Sequence, residues 1–166
     1  TRAAYRSCVS AGACSRPVGD GLCNFERLPR DPSSGYPGWP DFGPPDEHPI
    51  NCVSWAQASA FCAWKGARLP TEAEWMLAGR GPASVAGRTC QTPEDLAAED
   101  GRCNLRLYPW GNNFDATLCN AQAAGVGATT PVGSFSPAGD SPSGCADMAG
   151  NVWEWTNTQW GREASI

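Results

Sequence analysis

Nine cysteines stand in 166 residues, no two of them form a Cys-x-x-Cys pair, and the chain has one histidine. A structural zinc site needs four closely spaced nitrogen and sulfur ligands, so this pattern excludes a zinc finger and gives no support to a thioredoxin-like dithiol. The pattern fits disulfides that form and persist in an oxidising compartment. The expected location is therefore extracytoplasmic: periplasmic, cell-surface or secreted. An odd count leaves one thiol without a mate inside these residues.

The remaining composition agrees with a fold held by staples rather than by long regular elements. Charged residues are 17%, while 19 Gly and 15 Pro together exceed a fifth of the chain. That balance predicts many turns and few long helices. Eight Trp, five Phe and three Tyr supply enough apolar surface for a core. A net charge of −5 argues against a nucleic-acid partner. No apolar run approaches the roughly 18 residues of a membrane span. No signal peptide is visible at Thr1.

Residues 1–50 read as irregular, with Cys8 and Cys14 bracketing a short loop and 28–49 an extended, proline-rich surface segment. Order begins with the run from His48 to Trp55. Ser54 with Gln57, and Thr71 with Glu74, are capping boxes, and each opens a short helix. Gly66 is the expected left-handed stop of the first, and Gly79 and Gly81 the stop of the second. Residues 82–107 read as a polar insertion flanked by Cys90 and Cys103. Beyond Tyr108 short strands and turns are expected. Pro131 to Phe135 is one candidate strand. Asn151 to Trp155 is another, with Trp153 and Trp155 on one face. The class is α+β, one domain over 1–166.

Several motifs follow one another in a fixed order. His48-Pro49 leads to Val53-Ser54-Trp55, then Ala60-Phe61-Cys62-Ala63-Trp64. Next comes the run from Gly66 to Trp75 containing Arg68-Leu69-Pro70-Thr71-Glu72. Tyr108-Pro109-Trp110-Gly111 and Pro131-Val132-Gly133 precede Asp147-Met148-Ala149-Gly150-Asn151-Val152-Trp153-Glu154-Trp155. The series resembles the formylglycine-generating enzymes, or sulfatase-modifying factors, most strongly over 48–160. The opening from Tyr5 to Cys14 is similar to bacterial members.

The resemblance implies a C-type-lectin-like fold. It also implies a copper-dependent oxidoreductase that converts a cysteine of a sulfatase-type peptide or protein substrate to formylglycine. In that family two redox cysteines lie in an Arg-Gly-Gly-Ser-Trp segment after the Trp-Glu-Trp strand. That segment does not occur between Thr1 and Ile166. No catalytic residue is therefore assigned here, and copper is expected for the full-length family enzyme rather than for this chain. Cys62 matches a family cysteine whose disulfide partner belongs to that segment. Gly79 stands where the family has a further disulfide cysteine. The working pairing is Cys8–Cys14, Cys23–Cys52, Cys90–Cys103 and Cys119–Cys145, with Cys62 unpaired.

The resemblance also implies structural calcium. One site would use the side chains of Asp147 and Glu154 with the carbonyls of Gly150 and Val152. Such hard oxygen donors suit calcium at about 2.3–2.6 Å. A second site would start at Asn120 and the Ala121 carbonyl. Its other positions fall near Ala124 and Val126, where no carboxylate stands. His48, beside Pro49 and with no nucleophile spaced to it, reads as a structural hydrogen-bonding residue. Three functions remain in play. The first is part of a formylglycine-generating protein, and the second a non-catalytic lectin-like binding module. The third is an ergothioneine-type iron enzyme, which a single histidine disfavours.

Overall fold

The computed structural model describes residues 1–17, 46–81, 84–85, 88–89 and 106–159. Three α-helices, a two-residue hairpin and a short 3-10 turn account for its regular structure. The chain forms two compact units. The first comprises 1–69, 125–134 and 151–155; the second comprises 70–124, 135–150 and 156–166.

In the first unit, α1 (Arg2–Ser10) corrects the expectation of an irregular opening. Thr1 caps it, its side chain accepting the Ala4 N–H at 3.3 Å. Arg2, Tyr5 and Cys8 recur on one face and are 2%, 1% and 0% exposed, which is helical periodicity in a stretch too short and too polar to announce itself. The remaining first-turn donors have no partner within a helix. Here the Arg2 N–H donates to the His48 carbonyl (2.8 Å) and the Ala3 N–H to the Asp46 carbonyl (3.2 Å). Arg6 and Asp46 form an ion pair. Cys8 and Cys14 are bonded, at an S–S distance of 1.98 Å.

Helix α2 (Trp55–Trp64) starts with both halves of the Ser54–Gln57 capping box in place. Gln57 is 7% exposed, yet its amide is fully used. Its Oε1 accepts the Ser54 N–H at 2.9 Å, and its Nε2 donates to Ser15 Oγ and to the Arg16 carbonyl. A buried amide so satisfied ties α2 to the end of the disulfide loop without a desolvation penalty. Gly66 follows with φ +71°, the left-handed stop expected from the sequence. Tyr5 stacks on Phe61 (centroids 5.6 Å), and Val9, Ile50, Val53 and Trp64 complete the cluster around Tyr5, Cys8 and Cys14.

In the second unit, α3 (Glu72–Arg80) carries the Thr71–Glu74 box, also complete. The Glu72 N–H donates to Thr158 Oγ1 (2.8 Å) and the Asn157 N–H to the Pro70 carbonyl (2.7 Å), so 157–158 is laced to the helix start. Gly79 does not end this helix but lies within it, buried, where an added Cβ would stand 3.2 Å from Met148 Cε. Gly81 is the stop, at φ +80°. The strands β1 (Ser84–Val85) and β2 (Arg88–Thr89) pair antiparallel. Tyr108 and Gly111 bridge a tight turn on which Tyr108 stacks with Trp110 and meets Phe114 at an angle.

Two expected strands are absent from the described residues. Residues 132–139 form successive turns, and 151–155 are not assigned to a sheet. The apolar alternation there reflects no sheet face. Trp153 is 100% exposed, while the Trp155 indole N–H donates to the Val53 carbonyl at 2.8 Å. Trp55 and Trp155 are also substantially exposed, at 43% and 49%.

Candidate functional site

Among the described residues, the turn at 147–151 concentrates left-handed backbone. Asp147 (φ +58°), Gly150 (φ +87°) and Asn151 (φ +63°) all occupy the left-handed region. Asp and Asn are the non-glycine side chains that best tolerate it. Strained turns of this kind concentrate at functional positions. Gly150 is the chemically obligatory member. It pairs with Asn120 in a parallel bridge, and an added Cβ would stand 2.6 Å from the Asn120 carbonyl oxygen.

This places the six residues assigned to calcium as follows. Asn120, Ala121, Asp147 and Gly150 belong to the second unit, and Asn120 and Gly150 are direct neighbours there. Val152 and Glu154 belong to the first unit. Asp147 is half-buried and Glu154 exposed. The two carboxylates of the first set thus belong to different units. The second set fits poorly. Ala124 closes the 3-10 turn Gln122–Ala124 and Val126 is 46% exposed, so neither supplies a charged oxygen. Among the described residues no group of three or more His, Cys, Asp or Glu side chains is clustered to hold a metal ion.

The cysteines divide. Cys52 is disulfide-bonded. Cys23, Cys90 and Cys103 lie outside the described residues, and with them the two pairings that name them. Cys62, Cys119 and Cys145 carry free thiols, so the structure does not join Cys119 to Cys145. Cys62 lies within α2, and the other two are held by their own loops. Cys119 Sγ faces the Asp115 carbonyl, while the Cys145 N–H donates to Ser141 Oγ and its carbonyl accepts the Ser141 N–H. Burial pushes the Cys62 thiol above its ordinary pKa. It does the same to Cys119, where the Ala121 backbone pulls weakly the other way. Neither is an activated nucleophile of the low-pKa kind.

His48 is a structural residue, as its context predicts. Its Nδ1 bonds Thr129 Oγ1 at 2.9 Å. Sequence reasoning missed the second anchor of this region. Thr130 and Asn151 exchange two hydrogen bonds, the Thr130 N–H to Asn151 Oδ1 (3.0 Å) and Asn151 Nδ2 to the Thr130 carbonyl (3.2 Å). The only local sign was an Asn after Gly, a turn-favouring pair.

Comparison with known proteins now decides the lineage. Residues 1–165 match the sulfatase-modifying factor enzyme 1-like domain. The chain belongs to that family. It is 35% identical over 146 residues to the inactive C-alpha-formylglycine-generating enzyme 2 of Bos taurus, covering 82% of this chain and 39% of that protein. It is 41% identical over 109 residues to the formylglycine-generating enzyme of Streptomyces coelicolor, covering 65% of this chain and 31% of that protein. The hercynine oxygenase of Mycolicibacterium thermoresistibile is 38% identical over 116 residues, 69% of this chain and 22% of that protein. The chain thus spans well under half the length of these relatives. The family carries the C-type-lectin-like fold, and its members differ in activity.

Proposed function

We propose that these residues form the scaffold of a formylglycine-generating protein, which oxidises a cysteine of a sulfatase-type substrate to formylglycine. The observation that carries the reading is the family match over 1–165, to which the ordered motifs from His48 to Trp155 belong. Burial raises the Cys62 and Cys119 thiols above their ordinary pKa, the opposite of what activates a redox nucleophile. In this reading the reactive pair and its copper belong to sequence outside these 166 residues. Copper would supply the one-electron chemistry with dioxygen there. The Cys8–Cys14 bridge and the bonded Cys52 support an extracytoplasmic, oxidising location. Calcium at the turn of Asp147 is part of the same proposal, supported by its donor chemistry and left-handed backbone.

The second reading is a binding module without catalysis. The relative named as inactive favours it, as do the exposed indoles of Trp55, Trp153 and Trp155. Hercynine-oxygenase chemistry is the weakest of the three, because the single histidine is already bonded to Thr129.

Incubation with copper, dioxygen and a Cys-x-Pro-x-Arg peptide separates the first two. The whole protein should yield a hydrazine-reactive aldehyde, and the 166-residue chain alone should yield none. A whole protein that binds the peptide and leaves its cysteine intact would transfer the assignment to the binding module.

A further inference from the structure

The amide of Gln57 joins stretches of the first unit that are distant in sequence. Gln57 is buried, and both hydrogens of its Nε2 are committed, to Ser15 Oγ at 3.0 Å and to the Arg16 carbonyl at 2.6 Å. Its Oε1 accepts the Ser54 N–H at 2.9 Å, and its own N–H donates to Ser54 Oγ at 3.3 Å. One residue before Ser54, the Val53 carbonyl receives the Trp155 indole N–H at 2.8 Å. At the other end, Ser15 follows Cys14 directly, and its carbonyl accepts the Tyr5 hydroxyl at 3.1 Å.

We propose that the Cys8–Cys14 bond governs the seating of Trp155, acting through Gln57. The bond pins Cys14 to α1 and so holds Ser15 and Arg16 where they meet the amide. Without it the hold on this loop passes to hydrogen bonds, from the Ala13 and Cys14 N–H groups to the Cys8 carbonyl and from Tyr5 to Ser15. Those open and close, as a covalent bond does not. A buried amide cannot replace lost partners with water, so Gln57 must turn or leave its donors unmet. Turning also withdraws Oε1 from Ser54, because the two ends of an amide move as one plane. The capping box then loosens, and the Val53 carbonyl beside it leaves the indole.

Bond formation takes one proton and one electron from each thiol. A low-molecular-weight disulfide accepts them and departs as two thiols. The oxidised chain therefore presents 151–155, including the fully exposed Trp153, in one setting, and the reduced chain releases it.

Solvent exchange of the indole N–H groups, read by NMR on the full chain, tests the relay. Trp155→Phe identifies the Trp155 signal by its loss. The Trp110 indole, which donates to the Asn113 carbonyl in the second unit, is the reference. Cys8→Ser/Cys14→Ser spares the bond at Cys52, which chemical reduction would also break. It should speed exchange at Trp155 at least about ten-fold while Trp110 stays within about two-fold. Ser15→Ala, with the bond intact, should shift Trp155 in the same direction, and the triple variant should fall short of the product of the two effects. An unmoved Trp155, an equal change at Trp110, or fully multiplicative effects overturn the relay. Should the double variant fail to fold, Ser15→Ala still decides, since an unchanged Trp155 there is also contrary.

Discussion

Gly150 and Asn120 meet backbone to backbone, with 2.6 Å between the Asn120 carbonyl oxygen and the position a Gly150 methyl would take. Gly150→Ala must therefore displace main chain as well as hold a left-handed alanine. A loss of at least about 2 kcal/mol is expected from the combined strain. Gly12 is the control, since it is equally left-handed (φ +72°) but has open space around it. Gly12→Ala should cost about 1 kcal/mol. Urea denaturation of both variants checks the difference, and equal losses would mean that the Asn120 contact does not resist.

The two capping boxes give a second expectation. Ser54→Ala and Thr71→Ala each remove one acceptor for a first-turn N–H. Each should lower stability by about 1 kcal/mol, while Ser54→Asp and Thr71→Asp should largely restore it. Helical circular dichroism during thermal melting reads both.

Reduction of the Cys8–Cys14 bridge, or its replacement by two serines, releases a short loop and exposes sulfur positions that lie in the core. Loop-closure entropy alone predicts a loss of about 2 kcal/mol. The effect should appear in the fluorescence of the Trp64 region before it appears elsewhere. A melting curve indifferent to reductant would show that packing around Tyr5 suffices without the bond.

Calcium binding is testable without catalysis. A ligand bound only by the folded chain raises its melting temperature, and chelation reverses the rise. Removing calcium should lower the midpoint by several degrees for a stabilisation of about 2 kcal/mol, and Asp147→Asn should abolish the difference. An unchanged curve would leave the 147–151 turn explained by its backbone alone.

Thiol accessibility follows from burial. Cys119 is 3% exposed, whereas Cys62 is half-buried. Alkylation of the native chain should modify Cys62 well before Cys119, with peptide mass mapping as the measure. Simultaneous labelling would indicate that the 115–119 turn opens freely.

The legible parts of this chain were those governed by neighbours in sequence. Ser54–Gln57, Thr71–Glu74 and Gly66 act within one helical turn, so three or four residues suffice to read them. Helix α1 was hidden because its stability comes from afar. Its first N–H groups depend on carbonyls at 46 and 48, and its apolar face depends on Phe61. The Asn151–Trp155 alternation misled for the opposite reason: the pattern is real, but Trp155 spends its indole on Val53 rather than facing a sheet partner. Disulfide pairing was beyond local reading, since eight cysteines allow on the order of a hundred connectivities. At the candidate site, the oxygen-donor set came from the family resemblance and not from the residue types alone. The Asn120–Gly150 approach was not legible, because twenty-nine intervening residues separate its halves.

Each compact unit is threaded from three separate stretches of chain. A single cut therefore frees neither. Severing the chain after Leu69 would strip the first unit of 125–134 and 151–155, and with them the partners of His48, Glu47 and Val53. Residues 1–69 expressed alone should therefore lack a closed core and remain unfolded, because the stretches that complete their unit lie more than fifty residues further on.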